Sequence, residues 1–173
     1  MLRRKALLGA AVLSLAVIAD QITKECVRGS LALGESLHVF GPVHLTHVQN
    51  TGAVFGLGQG YTIIPTVASI VVLITIPFIL RHMVVHHNYK PTNFETFSIS
   101  LIAGGAIGNL IDRILFSAVT DFIDVEILPG VRWPAFNVAD ACIVVGTILV
   151  LIILFRRSAS EGGRMESLSD DPS

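Results

Sequence analysis

A mainly α, polytopic membrane fold is predicted for this chain, with four transmembrane helices and a small β-rich element on the outer face. Three observations predict it. Hydrophobic residues make up 52% of the 173-residue sequence and charged residues only 14%, where a soluble domain carries about 25% charged residues. With a mean hydropathy of +0.71, too little charge remains to coat a water-facing globule. The apolar residues also fall into four runs, at about 6–27, 61–80, 94–116 and 138–155, near the roughly 20 residues that a helix needs to cross a hydrocarbon core. Finally, basic residues mark alternate ends of those runs.

The first run follows Arg3, Arg4 and Lys5. This opening imitates a secretory signal peptide, but no small-x-small cleavage site follows, and the helical pattern continues through Asp20 and Thr23 towards Val27. It is read as a retained first span with a polar outer end. The segment 29–60 comes next. Within it, Val43-His44-Leu45-Thr46-His47-Val48 alternates apolar with polar after the turn signal Gly41-Pro42, which predicts short strands at the lipid surface. The second run has no charge, and Pro65 and Pro77 are expected to bend it or mark its ends. The third carries Gly104, Gly105 and Gly108, which suit close helix packing. The fourth ends at Arg156 and Arg157, and the tail 158–173, rich in Ser, Gly and acids, is expected to be disordered. Residues 1–157 thus form a single membrane-embedded domain.

Orientation follows from the basic residues. Arg3, Arg4 and Lys5 precede the first span, Arg81 and Lys90 lie between the second and third, and Arg156 and Arg157 follow the fourth. The positive-inside rule places both termini and the middle loop in the cytoplasm. Segments 29–60 and 117–137 then face outward. The net charge of −1 excludes the basic surface of a nucleic-acid binder. Two cysteines, Cys26 and Cys142, are too few for a disulfide framework or a clustered zinc site. His82 and His86 have the spacing of zinc ligands on a helix but lack the glutamate of His-Glu-x-x-His, and His44, His47 and His87 are read with them as surface residues. No metal is expected.

Polar residues gather at the outer ends of the spans: Asp20 and Lys24 on the first, Asn109, Asp112 and Arg113 on the third, Asn137 and Asp140 entering the fourth, with Asp121 in the loop between. Ionisable groups at such depth cost a few kcal/mol or more each, so they face a bundle interior and pair. Structural pairing explains part of the set. Asp20 and Lys24 are four apart on one helix face, and Asn109 and Asp112 are three apart on another. Asp112 and Arg113 are adjacent, so each pairs with another span. Asp121 and Asp140 have no basic residue within a helical turn. Two carboxylates brought together share one proton near neutral pH, and such a pair deprotonates a water and protonates a leaving amine. No Gly-x-Ser-x-Gly element offers a nucleophile instead.

The segments Asp20-x-x-x-Lys24, Asn50-Thr51-Gly52-Ala53-Val54-Phe55-Gly56, Gly104 to Arg113, Val119-Thr120-Asp121-Phe122 and Phe136-Asn137-Val138-Ala139-Asp140 together resemble the lipoprotein signal peptidase (signal peptidase II) family of bacterial membrane aspartyl peptidases, in that family's order and spacing. The resemblance implies a catalytic dyad of Asp121 and Asp140. It implies that Asp20, Lys24, Asn50, Gly52, Asn109, Asp112, Arg113 and Asn137 hold the site and the substrate, with no cofactor. The implied substrates are prolipoproteins, cut before a diacylglyceryl-modified cysteine by one chain acting as a monomer among membrane lipids. The implied place is the inner membrane, with the site at its outer face and Trp133 at the interface. Val54 departs from the small residue more common in the family, a change that touches pocket shape and not the dyad. The competing reading is a small transporter or proton-pathway subunit using carboxylates as relays, which predicts acids spread through the bilayer depth. A non-enzymatic scaffold is the third reading, and it leaves the convergence of Asp121 and Asp140 without a reason.

Overall fold

The structure is a computed structural model that describes residues 2–52, 63–86 and 89–169. Four helices carry the fold: α1 (Leu2–Ser30), α2 (Ile63–His86), α3 (Asn93–Phe116) and α4 (Val138–Ser169). Each contains a stretch long and apolar enough to span a bilayer. Between α1 and α2 lie β1 (Ser36–Phe40) and β2 (Val43–Asn50); between α3 and α4 lie β3 (Val119–Leu128) and β4 (Val131–Phe136). The four strands form one antiparallel sheet in the order β1-β2-β3-β4. Because each strand pair joins the finish of one helix to the start of the next, the sheet sits at one end of the bundle.

The expected elements are present, with revised limits. Pro77 lies inside α2 and does not end it, and that helix continues past 80 to His86. The helix α4 continues through 158–169, where disorder was expected. A helix already nucleated in the apolar span extends at little cost per residue, so a polar tail need not end it at once. The second outward segment, read only as a loop, forms β3 and β4. Pro134 is accommodated because β4 is an edge strand, where a missing N–H breaks no ladder.

Small residues bring three helices together. A side chain at Gly104 would meet Ala16 and the Leu13 carbonyl of α1, and one at Gly105 would strike the Ala139 carbonyl of α4. The backbones approach so closely because no Cβ intervenes, as the glycine pattern predicts. By contrast, α2 has no buried residues, and most of its apolar surface, such as Val67, Val71, Ile74 and Phe78, is exposed. In a bilayer this surface faces lipid.

At the bundle end away from the sheet, Thr92 and Glu95 form a reciprocal capping box at the start of α3. Glu95 is buried and pairs with Arg157 of α4 at 2.7 Å. Lys5 donates to the Pro91 carbonyl, which ties α1 to the same corner.

Candidate active site

At the sheet end, α1 presents Asp20, Lys24 and Arg28 along one face, each four residues from the last. Lys24 is fully buried and bridges Asp20 at 2.9 Å and Asp112 of α3 at 3.4 Å. Arg28 reaches the same Asp112 at 3.6 Å and donates to Thr120 Oγ1 at 2.9 Å. Two buried acids thus meet two bases, which is how charges survive in a low-dielectric interior. Gly108 leaves the room this requires, since a Cβ there would lie 2.5 Å from Asp20 Oδ2. Asp112 Oδ2 also accepts the Thr120 N–H at 2.9 Å, fixing the start of β3 one residue before Asp121.

The start of α4 builds the second half of the site. Asn137 is its N-cap: its Oδ1 accepts the Asp140 N–H at 2.9 Å, and Asp140 Oδ2 accepts the Asn137 N–H at 3.2 Å. This is a capping box with Asp in the third position. Asp20 Oδ1 accepts the Ala139 N–H at 2.9 Å, so α1 satisfies another orphan amide of the same helix end. The cap therefore holds Asp140 in place before any chemistry is considered.

Three asparagine amides aim their N–H groups at the two remaining carboxylates. Asn50 donates to Asp121 Oδ2 at 2.9 Å, Asn137 to Asp121 Oδ1 at 2.6 Å, and Asn109 to Asp140 Oδ1 at 2.8 Å. In each amide the oxygen is held by a group that only donates. Gly52 N–H binds Asn50 Oδ1 at 3.0 Å, the Asp140 N–H binds Asn137 Oδ1, and the Lys24 ammonium binds Asn109 Oδ1 at 3.0 Å. Strand pairing supplies the approach of Asn50 to Asp121, because Val48 sits opposite Asp121 and Asn50 opposite Val119.

Asp121 is 1% exposed. Burial, and next the neighbouring Asp140 charge, push its pKa up from 3.8 to about 7, against the lowering effect of the Asn50 and Asn137 bonds. Arg113 donates a long 3.5 Å bond to the Asn109 carbonyl of its own helix. It lines, with Asn50, Asn109, Asp121 and Asp140, the polar end of a cavity of about 700 Å³. The rest of that cavity is apolar, walled by Ile64, Pro65 and Ala68 of α2, Val144 and Val145 of α4, and Trp133 and Phe136 of β4.

All ten residues singled out from the sequence are thus in one network: Asp20, Lys24, Asn50, Gly52, Asn109, Asp112, Arg113, Asp121, Asn137 and Asp140. Three members were not anticipated. Gln21 donates to Asp20, the Gly108 carbonyl and Asp112, and Arg28 and Thr120 join through Asp112. The four-residue repeat from Asp20 to Arg28 was the available signal. His47 corrects the surface reading of the histidines. It is buried, with Nδ1 bound to the Leu31 carbonyl at 2.9 Å, and pins the segment after α1 to β2. His82 and His86 are exposed on α2; His87 and the motif residues 53–56, Val54 among them, lie outside the described residues. Among the described residues no three potential ligands gather for a metal.

The carboxylates do not trace a path through the bundle. Asp20, Asp112, Asp121 and Asp140 lie at the sheet end, Glu95 lies at the other end in its pair with Arg157, and the helices carry no acid between.

Known proteins resemble this chain in sequence and in fold. The family model described as Signal peptidase (SPase) II matches residues 12–156. A lipoprotein signal peptidase of Halothermothrix orenii is 36% identical over 149 residues, covering 84% of this chain and 94% of that protein. One of Syntrophomonas wolfei is 40% identical over 141 residues, covering 81% and 87%. A bacterial membrane enzyme solved by the in meso method at 2.3 Å superposes with a TM-score of 0.74 at 31% identity, over 88% of this chain and 90% of that one. A second, at 1.9 Å, gives 0.70 at 32% identity, over 84% and 91%.

Proposed function

The chain belongs to the signal peptidase II family of bacterial multi-pass membrane aspartic endopeptidases that process prolipoproteins, and from that premise we propose that Asp121 and Asp140 are its catalytic dyad. The observation that carries the proposal is that both carboxylates open onto one cavity, each oriented by asparagine N–H donors.

Charge balance supports a dyad with one proton. Among the buried charges, Asp20 and Asp112 are offset by Lys24 and Arg28, whose other acid, Glu25, is exposed to solvent, which leaves Arg113 as the positive charge beside Asp121 and Asp140. One guanidinium balances one carboxylate, so the second carboxyl group is neutral when it holds a proton. Burial favours the proton on Asp121, so the acid role goes to Asp121 and the base role to Asp140. Asp140 takes a proton from water as the water oxygen attacks the scissile carbonyl carbon. Asp121 gives its proton to the leaving amine as the C–N bond breaks. Each turnover moves one proton through the pair, and no covalent intermediate forms.

Asp20, Lys24, Asp112 and the three asparagines hold this geometry, Gly52 fixes Asn50, and Arg113 stabilises charge developing at the carbonyl oxygen. The apolar part of the cavity suits a substrate anchored in lipid, a diacylglyceryl-modified cysteine with its signal helix. The network closes within one chain, in keeping with a monomer. The sheet end then faces outward from the inner membrane, with both termini cytoplasmic.

Incubating the purified protein with a synthetic diacylglyceryl peptide tests this directly. Cleavage is expected immediately before the lipidated cysteine, and Asp121→Asn and Asp140→Asn are each expected to abolish it in folded protein. Near-parental turnover by either variant would sink the dyad.

A further inference from the structure

We infer that Lys24 is a positioning residue for the carboxylate pair: its ammonium holds the oxygen of the Asn109 amide, and so aims that amide's N–H donor at Asp140. The inference rests on the proposal that those two aspartates are the catalytic dyad.

Lys24 has two acidic neighbours, Asp20 and Asp112, which account for its charge. Its further bond, 3.0 Å to Asn109 Oδ1, is to a neutral amide. An ammonium has donors only, so Asn109 must turn its oxygen to Lys24. The Asn109 NH₂ group is then left to face Asp140, at 2.8 Å. The same oxygen accepts from Asn137 Nδ2 at 3.1 Å, and that NH₂ group also donates to Asp121 Oδ1 at 2.6 Å. A flipped Asn109 would set its NH₂ against the Lys24 ammonium and the Asn137 NH₂, and its carbonyl oxygen against the Asp140 carboxylate.

Asn50 and Asn137 differ in one respect. Their oxygens are held by the backbone N–H groups of Gly52 and Asp140, which no side-chain substitution removes. Asn109 alone of the three depends on a side chain for its orientation. A buried lysine four residues from a buried aspartate looks like simple ion pairing, yet here it also sets the direction of the hydrogen bonds in the site.

A double-mutant cycle in the full-length protein tests this, with kcat and KM measured on the diacylglyceryl peptide. Lys24→Met and Asn109→Ala are each expected to lower kcat by roughly 10- to 100-fold, the range for losing a hydrogen bond to a charged group. KM should stay within about twofold, since the loss falls on the reacting carboxylates and not on substrate binding. The double variant should be no slower than the slower single variant, because both changes remove one interaction. Lys24→Met leaves Asp20 and Asp112 short of a counter-ion, so the cycle is repeated in an Asp20→Asn background, where that excess charge is reduced.

Multiplicative losses in the double variant would overturn the inference, as would parental kcat in Lys24→Met or a rise in KM alone. Absence of folded Lys24→Met protein in both backgrounds would also overturn it, assigning the lysine to fold maintenance. These outcomes are separable from failure of the dyad: if Asp121→Asn and Asp140→Asn are inactive while the cycle is multiplicative, only the role of Lys24 falls.

Discussion

At the scale of single residues, the site holds Asp121 in a state that stability measurements can read. In the unfolded chain its carboxyl ionises near 3.8, and in the folded protein near 7. The folded state therefore binds more protons between these values, and stability falls as pH rises through that window. The gap corresponds to on the order of 4 kcal/mol as an upper figure. Thermal unfolding in detergent is expected to show a decline from about pH 4 to pH 7 that Asp121→Asn largely removes. The variant should thus be inactive yet more stable than the parent at pH 8. A parallel decline in parent and variant would place the titration elsewhere. The residues of this site were legible as types and spacings, because ionisable groups in apolar runs need a reason to be there. Which way each amide points was not legible, since it depends on donors as distant in sequence as Lys24 and Asn109.

At the scale of elements, helix limits and strand pairing divide along the same line between local and non-local information. The spans could be read from hydropathy, whereas the Thr92–Glu95 cap of α3 was present in the sequence but not read from it. The cap of α4 was equally present in the sequence as Asn137-x-x-Asp140, but its first reading as site residues hid its second role. Strand β3 was missed because its central place between β2 and β4 comes from pairing with a segment some 70 residues earlier. Glycine spacing gave the contact between helices but not its tightness. Gly105→Ala is expected to destabilise the protein by roughly 1–3 kcal/mol, because the new methyl group meets the Ala139 carbonyl, a backbone atom that cannot rotate away. A lowered midpoint of thermal unfolding in detergent is the readout. An unchanged midpoint would mean that α3 and α4 separate more easily than their packing implies.

At the scale of the whole molecule, the connectivity puts the sheet and the carboxylate pair at one end of the bundle, and the start of α1, the end of α2, the start of α3 and the end of α4 at the other. Of the twelve Lys and Arg residues, only Lys24, Arg28, Arg113 and Arg132 lie at the sheet end; the other eight lie at the opposite end. Lys24, Arg28 and Arg132 are held by nearby acids. By the positive-inside rule this charge distribution supports the proposal that the sheet end faces outward. Cysteines introduced at Ser36 and at Ser169, in a background with Cys26→Ser and Cys142→Ser, should label from opposite sides: Ser36 from outside, Ser169 only after permeabilisation. Labelling of both from one side would overturn this orientation. The same arrangement predicts the substrate's dependence on lipid. The cavity joins a polar end, where the proposed dyad lies, to apolar walls on α2 and α4. On the proposed function, binding energy from an acyl-bearing cysteine seated there would position the scissile carbonyl against the dyad. An unlipidated precursor forfeits that energy and should be cleaved about a hundredfold or more less efficiently by kcat/KM. Comparable kcat/KM for the two peptides in the same detergent would show that the apolar walls serve only the bilayer, and that the polar end recognises its substrate unaided.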